Sequence, residues 1–157
     1  GFSGEIPETG LTLEENALQK ARYIWDIYHI PCFADDTGLE VDALKGAPGV
    51  FSARYAGPAC SHRENVKKLL REMEGFACRN ARFRCVIALI RDGHPTLFEG
   101  IVQGSILTAP RGKGGFGYDP VFVPLGFNQS FAQMTETDKN AISHRKRALE
   151  KMAPSLP

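Results

Sequence analysis

Phe33-Ala34-Asp35-Asp36-Thr37-Gly38-Leu39-Glu40-Val41-Asp42, leading into Gly46-Ala47-Pro48-Gly49 and Ser52-Ala53-Arg54-Tyr55, decides how the chain folds. The apolar run that enters this stretch, Ile30 to Ala34, predicts a short strand with Asp35 and Asp36 at its end. A buried strand that stops in this way delivers acid groups to the rim of a cleft. Carboxylates placed there hold a hard divalent cation or take a proton from water, so metal-assisted attack on a phosphate is the first chemistry to weigh. The dipeptide taken alone also fits a turn whose acids are solvated or cap backbone N–H groups.

Working outward, Thr12-Leu13-Glu14-Glu15 has the form of a capping box, and Leu13, Ala17, Ala21, Ile24 and Tyr28 recur at helical spacing, which predicts a helix over 12–29. From Gly38 to Gly57 the chain is too broken by Gly and Pro for a helix and too apolar for a disordered linker, and reads as an ordered loop. Ser61-His62-Arg63-Glu64 is a second capping box, opening a helix with Val66, Leu69, Leu70 and Met73 on one face and Gly75 at its end. Ala81 to Arg91 and Thr96 to Ile106 flank the turn signal Asp92-Gly93 and predict a long antiparallel hairpin. Val121-Phe122-Val123 is one more strand, and Ala141 to Met152 a terminal helix. Helix, strand, hairpin and helix in this order make a mixed α/β protein, with residues 1–157 forming one domain.

Composition narrows the function classes. Lys plus Arg number 19 against 18 acids, so no global positive field draws the chain to nucleic acid. With 43% hydrophobic and 24% charged residues and no run of membrane-span length, a cytoplasmic protein with no membrane partner is expected. The cysteines at 32, 60, 78 and 85 form no C-x-x-C pair and no zinc-finger spacing, which suits free thiols in a reducing compartment. The chain opens on Gly with no signal-peptide pattern, and reads as trimmed rather than secreted.

Three further constellations bear on chemistry. Adjacent strand residues point to opposite faces, so only one of Asp35 and Asp36 looks into a given site, where it binds metal or activates water while the other supports the loop. Glu8, in the polar loop Glu8-Thr9-Gly10, is a solvent-facing acid or a second metal carboxylate; magnesium takes only one or two, and Glu8 with Asp36 suffices. Glu15 competes for that role, but the capping box already employs it. In Gly112-Lys113-Gly114-Gly115-Phe116-Gly117-Tyr118-Asp119-Pro120, the glycines beside Phe116 are either a hairpin loop or open backbone that lets a flat base lie on the ring. Asp138 to Arg147 is a solvated helix face or a reading head. On one continuous helix Lys139 and Arg145 would point about 120° apart, so if both serve one pocket the helix breaks between them, with Ser143 as cap of its second half. Such donors suit a purine 6-oxo acceptor and not an adenine amino group.

Ala34 to Leu44, Gly46 to Tyr55, Gly114 to Pro120 and Ile142-Ser143-His144-Arg145 together resemble the inosine triphosphate pyrophosphatase family, also called Ham1 or nonstandard purine nucleotide pyrophosphatases, in order and spacing from about residue 8 to 152. The resemblance implies a long curved mixed sheet flanked by helices, a central nucleotide-binding cleft, a homodimer, and hydrolysis of ITP, dITP and XTP to monophosphate and pyrophosphate with magnesium, or manganese in its place. Carried onto matching positions, it implies Asp36 as general base and metal ligand, Glu8 as the other metal carboxylate, and Lys20 and Thr37 as phosphate contacts; Asp36, Asp35 and Lys20 are thus the expected catalytic set, with Asp35 in support of Asp36. Phe116, Gly117, Tyr118 and Asp119 match the segment that stacks on and lines the base; Lys139, His144 and Arg145 match the groups that read it. The family's opening strand and Thr/Ser-x-Asn-x-x-Lys loop have no match in residues 1 to 34, so a further N-terminal segment is expected ahead of Gly1. Two other readings stay open: a nucleotide-binding module without turnover, and a phosphatase acting on other small phosphates.

Overall fold

A computed structural model of the chain describes residues 4–157. Thr12 opens α1 (Leu13–Tyr28): its hydroxyl accepts from the Glu15 N–H at 3.1 Å, and Glu15 Oε2 accepts from the Leu11 N–H at 2.7 Å. These bonds satisfy N–H groups that a helix start leaves without partners. Leu13, Ala17 and Ala21 then bury one stripe of α1 against Val86, Ala88 and Ile90 of the sheet.

The strand expected to stop at Ala34 instead runs through both aspartates. β1 spans Cys32–Val41, and every one of its residues faces a partner on β2 (Asn80–Arg91), from Cys32 opposite Ile90 to Val41 opposite Ala81. Lateral pairing overrides the local signal, because a continuous ladder satisfies backbone groups that two charged side chains do not disturb. The ordered loop therefore begins at Asp42 rather than Gly38, with 3₁₀ turns over Asp42–Leu44 and Gly49–Arg54.

Asp92 and Gly93, with φ of 50° and 76°, close the expected hairpin between β2 and β3 (His94–Ile106). Positive φ at both central residues gives a turn whose twist matches that of the flanking strands. β4 (Phe122–Pro124) pairs with the end of β3 and completes the order β1-β2-β3-β4. The α/β class stands, but the expected mixed sheet is antiparallel throughout over the described residues. A parallel neighbour requires a crossover connection, and none joins these four strands.

The two faces of the sheet carry different helices. Val86, Ala88 and Ile90 face α1, while the alternate residues Cys85, Ile87 and Leu89 pack on Ala148 and Met152 of the terminal helix. Towards β4, Leu39, Val41 and Phe83 join Leu69 and Met73 and the rings of Phe122 and Phe131 in the main core. Leu69 comes from α2 (His62–Glu72), which Ser61 caps by accepting from the Glu64 N–H; the helix stops at Glu72, three residues short of Gly75.

The single terminal helix expected over Ala141 to Met152 is two helices. α3 (Glu136–Ile142) and α4 (His144–Met152) meet at Ser143, whose backbone is extended and whose hydroxyl accepts from the Lys146 N–H at 3.2 Å. α4 starts directly on β3 at Gly100, where a Cβ would lie 1.9 Å from the His144 carbonyl oxygen. Only a residue without a side chain permits that approach.

Candidate active site

The candidate catalytic cluster lies on the α1 face of β1. Lys20, on α1, reaches Glu8 at 2.6 Å and Asp36 at 3.5 Å. Glu8 is held there because its loop is tied to the same helix: the Thr9 N–H donates to Gln19 Oε1 at 2.9 Å and the Gly10 N–H to Asn16 Oδ1 at 2.7 Å. Asn16 is buried within the apolar stripe of α1. A polar residue in such a stripe is the sequence signal that marks it, since buried polar groups are kept only with partners.

Asp36 Oδ2 is buried and has no hydrogen-bond partner among the described residues. Burial pushes the Asp36 carboxyl above its ordinary value; the Lys20 charge pulls it back, the Glu8 charge adds to the rise, and hydrogen bonding from the Asn16 and Lys20 side chains lowers it again. Two carboxylates against one ammonium, with an acceptor oxygen left open, suit a hard divalent cation that takes one or two protein carboxylates. Glu8 and Asp36 are the residues that would hold it. No cluster of three or more His, Cys, Asp or Glu suited to a metal occurs among the described residues. Glu15, the competing acid, is engaged by the Leu11 N–H.

The opposite face gathers the residues expected to read a base. Asp35 does not stand beside Asp36: strand alternation turns it to the other side, where both its oxygens meet Arg145 Nη2, at 2.9 and 3.1 Å. Thr37, exposed two residues on, shares the alternation of Asp35. Lys139, midway along α3, bonds the buried Asp119 at 2.5 Å and lies 4.6 Å from the centre of the Phe116 ring. Between the two cations His144 stacks on Phe83, its Nδ1 buried without a partner among the described residues. Burial first, then the charges of Lys139 and Arg145, push His144 down to about 4, so the imidazole is neutral at physiological pH.

Phe116 is 71% exposed, an unusual condition for a large ring. The loop that presents it is built on Asp119, whose Oδ2 accepts from the Phe116 N–H at 3.0 Å, and on Gly115, which has φ of 68° and no room for a Cβ against that carboxylate. A cavity of about 460 Å³ between α2 and the glycine loop opens onto Phe116 and His62. Tyr118 turns inward and donates to the Ser52 carbonyl at 2.6 Å. Tyr118 thus braces the loop instead of offering its hydroxyl to a ligand, and burial raises its phenol further from ionisation.

Several positions escape sequence reasoning. His62 Nδ1 accepts from the Gly117 N–H at 3.1 Å and its ring tilts against Phe116, yet in the sequence it is only the second residue of a capping box. Asn65 ties the 49–57 loop together by accepting from the Ala56 N–H and donating to the Ser52 and Ala53 carbonyls. Arg84 joins Glu14 of α1 to Glu40 and Glu99 of the neighbouring strands. These partners are far apart in the chain, and no local pattern announces them.

A sequence profile of the Ham1 family matches residues 2–155. A Porphyromonas gingivalis protein named dITP/XTP pyrophosphatase is 53% identical over 157 residues, which cover 99% of this chain and 81% of the relative. A Christiangramia forsetii protein of the same name is 53% identical over 141 residues, 90% of this chain and 74% of the relative. The solved structure of the Staphylococcus aureus Ham1 protein superposes with a TM-score of 0.94 at 39% identity, covering 97% of this chain and 80% of that one. At this identity and coverage, with the fold shared, the chain belongs to the Ham1 family.

Proposed function

We propose that this chain hydrolyses nonstandard purine nucleoside triphosphates, ITP, dITP and XTP, to the monophosphate and pyrophosphate, and so cleans the nucleotide pool. It is a hydrolase acting on a phosphoanhydride bond. The carrying observation is the Asp36 carboxylate, buried with one oxygen open and set against Lys20 and Glu8. The names of the P. gingivalis and C. forsetii relatives, dITP/XTP pyrophosphatase, support the substrate class.

In this reading water attacks the α-phosphorus, the bond to the bridging oxygen breaks, and Asp36 takes the proton of the attacking water. A carboxylate pushed up by burial is a stronger base than a solvated one, and general-base help contributes about 10² to 10⁴ in rate. Lys20 stabilises the charge that develops on the phosphoryl oxygens. A divalent cation, magnesium or manganese, held by Glu8 and Asp36 would neutralise the triphosphate. Thr37, the other expected phosphate contact, lies on the Asp35 face of β1, so in this reading a phosphate oxygen would have to pass the strand edge to meet it. At the other end Phe116 is the shelf for the base and Gly117 leaves its face open; Tyr118 and Asp119, expected to line the base, hold the shelf from behind, while Lys139, His144 and Arg145 offer the donors that a 6-oxo group accepts.

The reading extends to one domain over 1–157, a homodimer and a cytoplasmic address. One sheet that carries helices from both ends of the chain supports the single domain. No described helix is long and apolar enough to cross a membrane. Pyrophosphate release from ITP and from ATP, with magnesium, tests the function: pyrophosphate from ITP in preference to ATP is expected. Tight ITP binding without product identifies a binding module, and orthophosphate without base preference a general phosphatase.

A further inference from the structure

The neighbours Asp35 and Asp36 sit on one strand but serve opposite faces, and the partner of Asp35 lies 110 positions away in the chain. We infer that Asp35 is a specificity-determining positioning residue, which holds Arg145 so that its remaining donors face the purine 6-oxo group, and that it takes no part in hydrolysis. This inference rests on the nucleotide pyrophosphatase reading and deepens it at the base-reading end.

The geometry of the pair carries the inference. Both Asp35 oxygens converge on the single nitrogen Nη2, at 2.9 and 3.1 Å. A guanidinium has five N–H donors in a rigid plane, so fixing one nitrogen sets the direction of the other two and leaves them for a ligand. Arg145 needs such a hold, because its side chain is 64% exposed while that of Asp35 is only 27% exposed. Asp35 is itself seated on the sheet, with the fully buried Cys85 thiol 3.9 Å from Oδ2. An exposed arginine without an anchor samples many rotamers and loses that entropy on binding.

The second cation of this end follows the same plan. Lys139 is tied to Asp119, which is 4% exposed, and between the two pairs stands the neutral His144. Each cation is thus matched by a carboxylate from another element, and the reading head carries little net charge. Such a head selects by hydrogen-bond pattern: a 6-oxo acceptor satisfies its donors, whereas a 6-amino group opposes them. Asp36, by contrast, pairs with Lys20 on the α1 face.

The test compares kcat and KM for ITP and ATP, with magnesium, in the wild-type chain and in the variants Asp35→Asn, Asp36→Asn and Arg145→Lys. Asp35→Asn is expected to raise KM for ITP about tenfold or more and to cut the ITP/ATP ratio of kcat/KM alike, with kcat on ITP falling less than about threefold. Asp36→Asn is expected to lose kcat on both nucleotides with the ratio kept. An Asp35→Asn chain that keeps the ITP/ATP ratio, whether or not kcat falls, overturns the inference. Should Asp35→Asn fail to fold, Arg145→Lys decides: its single ammonium cannot serve Asp35 and the base together, so a retained ratio overturns the inference and a lost one supports it. If the wild-type chain releases no pyrophosphate from ITP, the functional reading falls, and equilibrium binding then judges the inference alone. An ITP-over-ATP binding preference that Asp35→Asn abolishes supports it; a preference that the variant keeps, or none in the wild-type chain, overturns it.

Discussion

The two faces of β1 handle charge in opposite ways. On the α1 face Glu8 and Asp36 share one ammonium, and an Asp36 oxygen is buried with no hydrogen-bond partner among the described residues. On the α4 face every cation of the reading head has its own carboxylate, Lys139 with Asp119 and Arg145 with Asp35. The first arrangement is electrostatically incomplete, and in the proposed reading a cation and a phosphate would complete it; the second is already balanced and would offer oriented donors. An enzyme that breaks a bond common to all nucleoside triphosphates while choosing among bases needs both, and one strand separates them by side-chain alternation.

The largest expected effect strikes the incomplete face alone. Asp36→Asn should lower pyrophosphate release by about 10² or more, read as kcat on ITP, and leave the far-UV circular dichroism as it was. If the full-length variant keeps wild-type turnover, the division between the faces is wrong. Next comes the shelf: Phe116→Ala should raise KM for ITP about tenfold with little change in kcat, because base stacking contributes roughly 1 to 3 kcal/mol and does not touch the phosphate end. A kcat loss as large as that of Asp36→Asn would merge the two ends into one.

A third prediction uses pH on the balanced face. The native His144 titrates near 4 and the unfolded residue at its ordinary 6.5, so between these values the unfolded chain holds the extra proton. The stability His144 contributes is complete above pH 6.5 and is lost as pH falls towards 4. Urea unfolding midpoints measured over this window should drop with pH in the wild-type chain and drop less in His144→Gln; equal slopes would remove the neutral imidazole from the description. The smallest effect concerns the break that aims the two cations. Ser143→Ala removes the α4 cap and should cost about 1 kcal/mol, a fall in Tm of roughly 2–4 °C, which calorimetry would register.

Much of this was legible in local sequence. Both capping boxes, the Asp92-Gly93 turn and the apolar stripes of α1 and α2 depend on neighbours within one helical turn or one reversal, and such signals are self-contained. The break at Ser143 was legible only on the condition that Lys139 and Arg145 serve one pocket; helical spacing by itself gave one terminal helix. The length of β1 was not: the aspartates look like an ending until β2 is laid alongside, and no local propensity reports a partner fifty residues away. Likewise His62, Asn65 and Arg84 look like ordinary surface residues until the loops and strands they join are brought together.

The sequence by itself therefore determined the elements, the family and the inventory of chemical groups, since these follow from short-range spacing and from motifs in register. Tertiary structure alone decided which groups work together. It sent Asp36 to Lys20 and Glu8 and Asp35 to Arg145, because strand alternation divides neighbours between two faces and only packing determines which helix covers each. It also left Asp36 Oδ2 buried without a partner among the described residues, a property of the surroundings that no residue carries in its own chemistry.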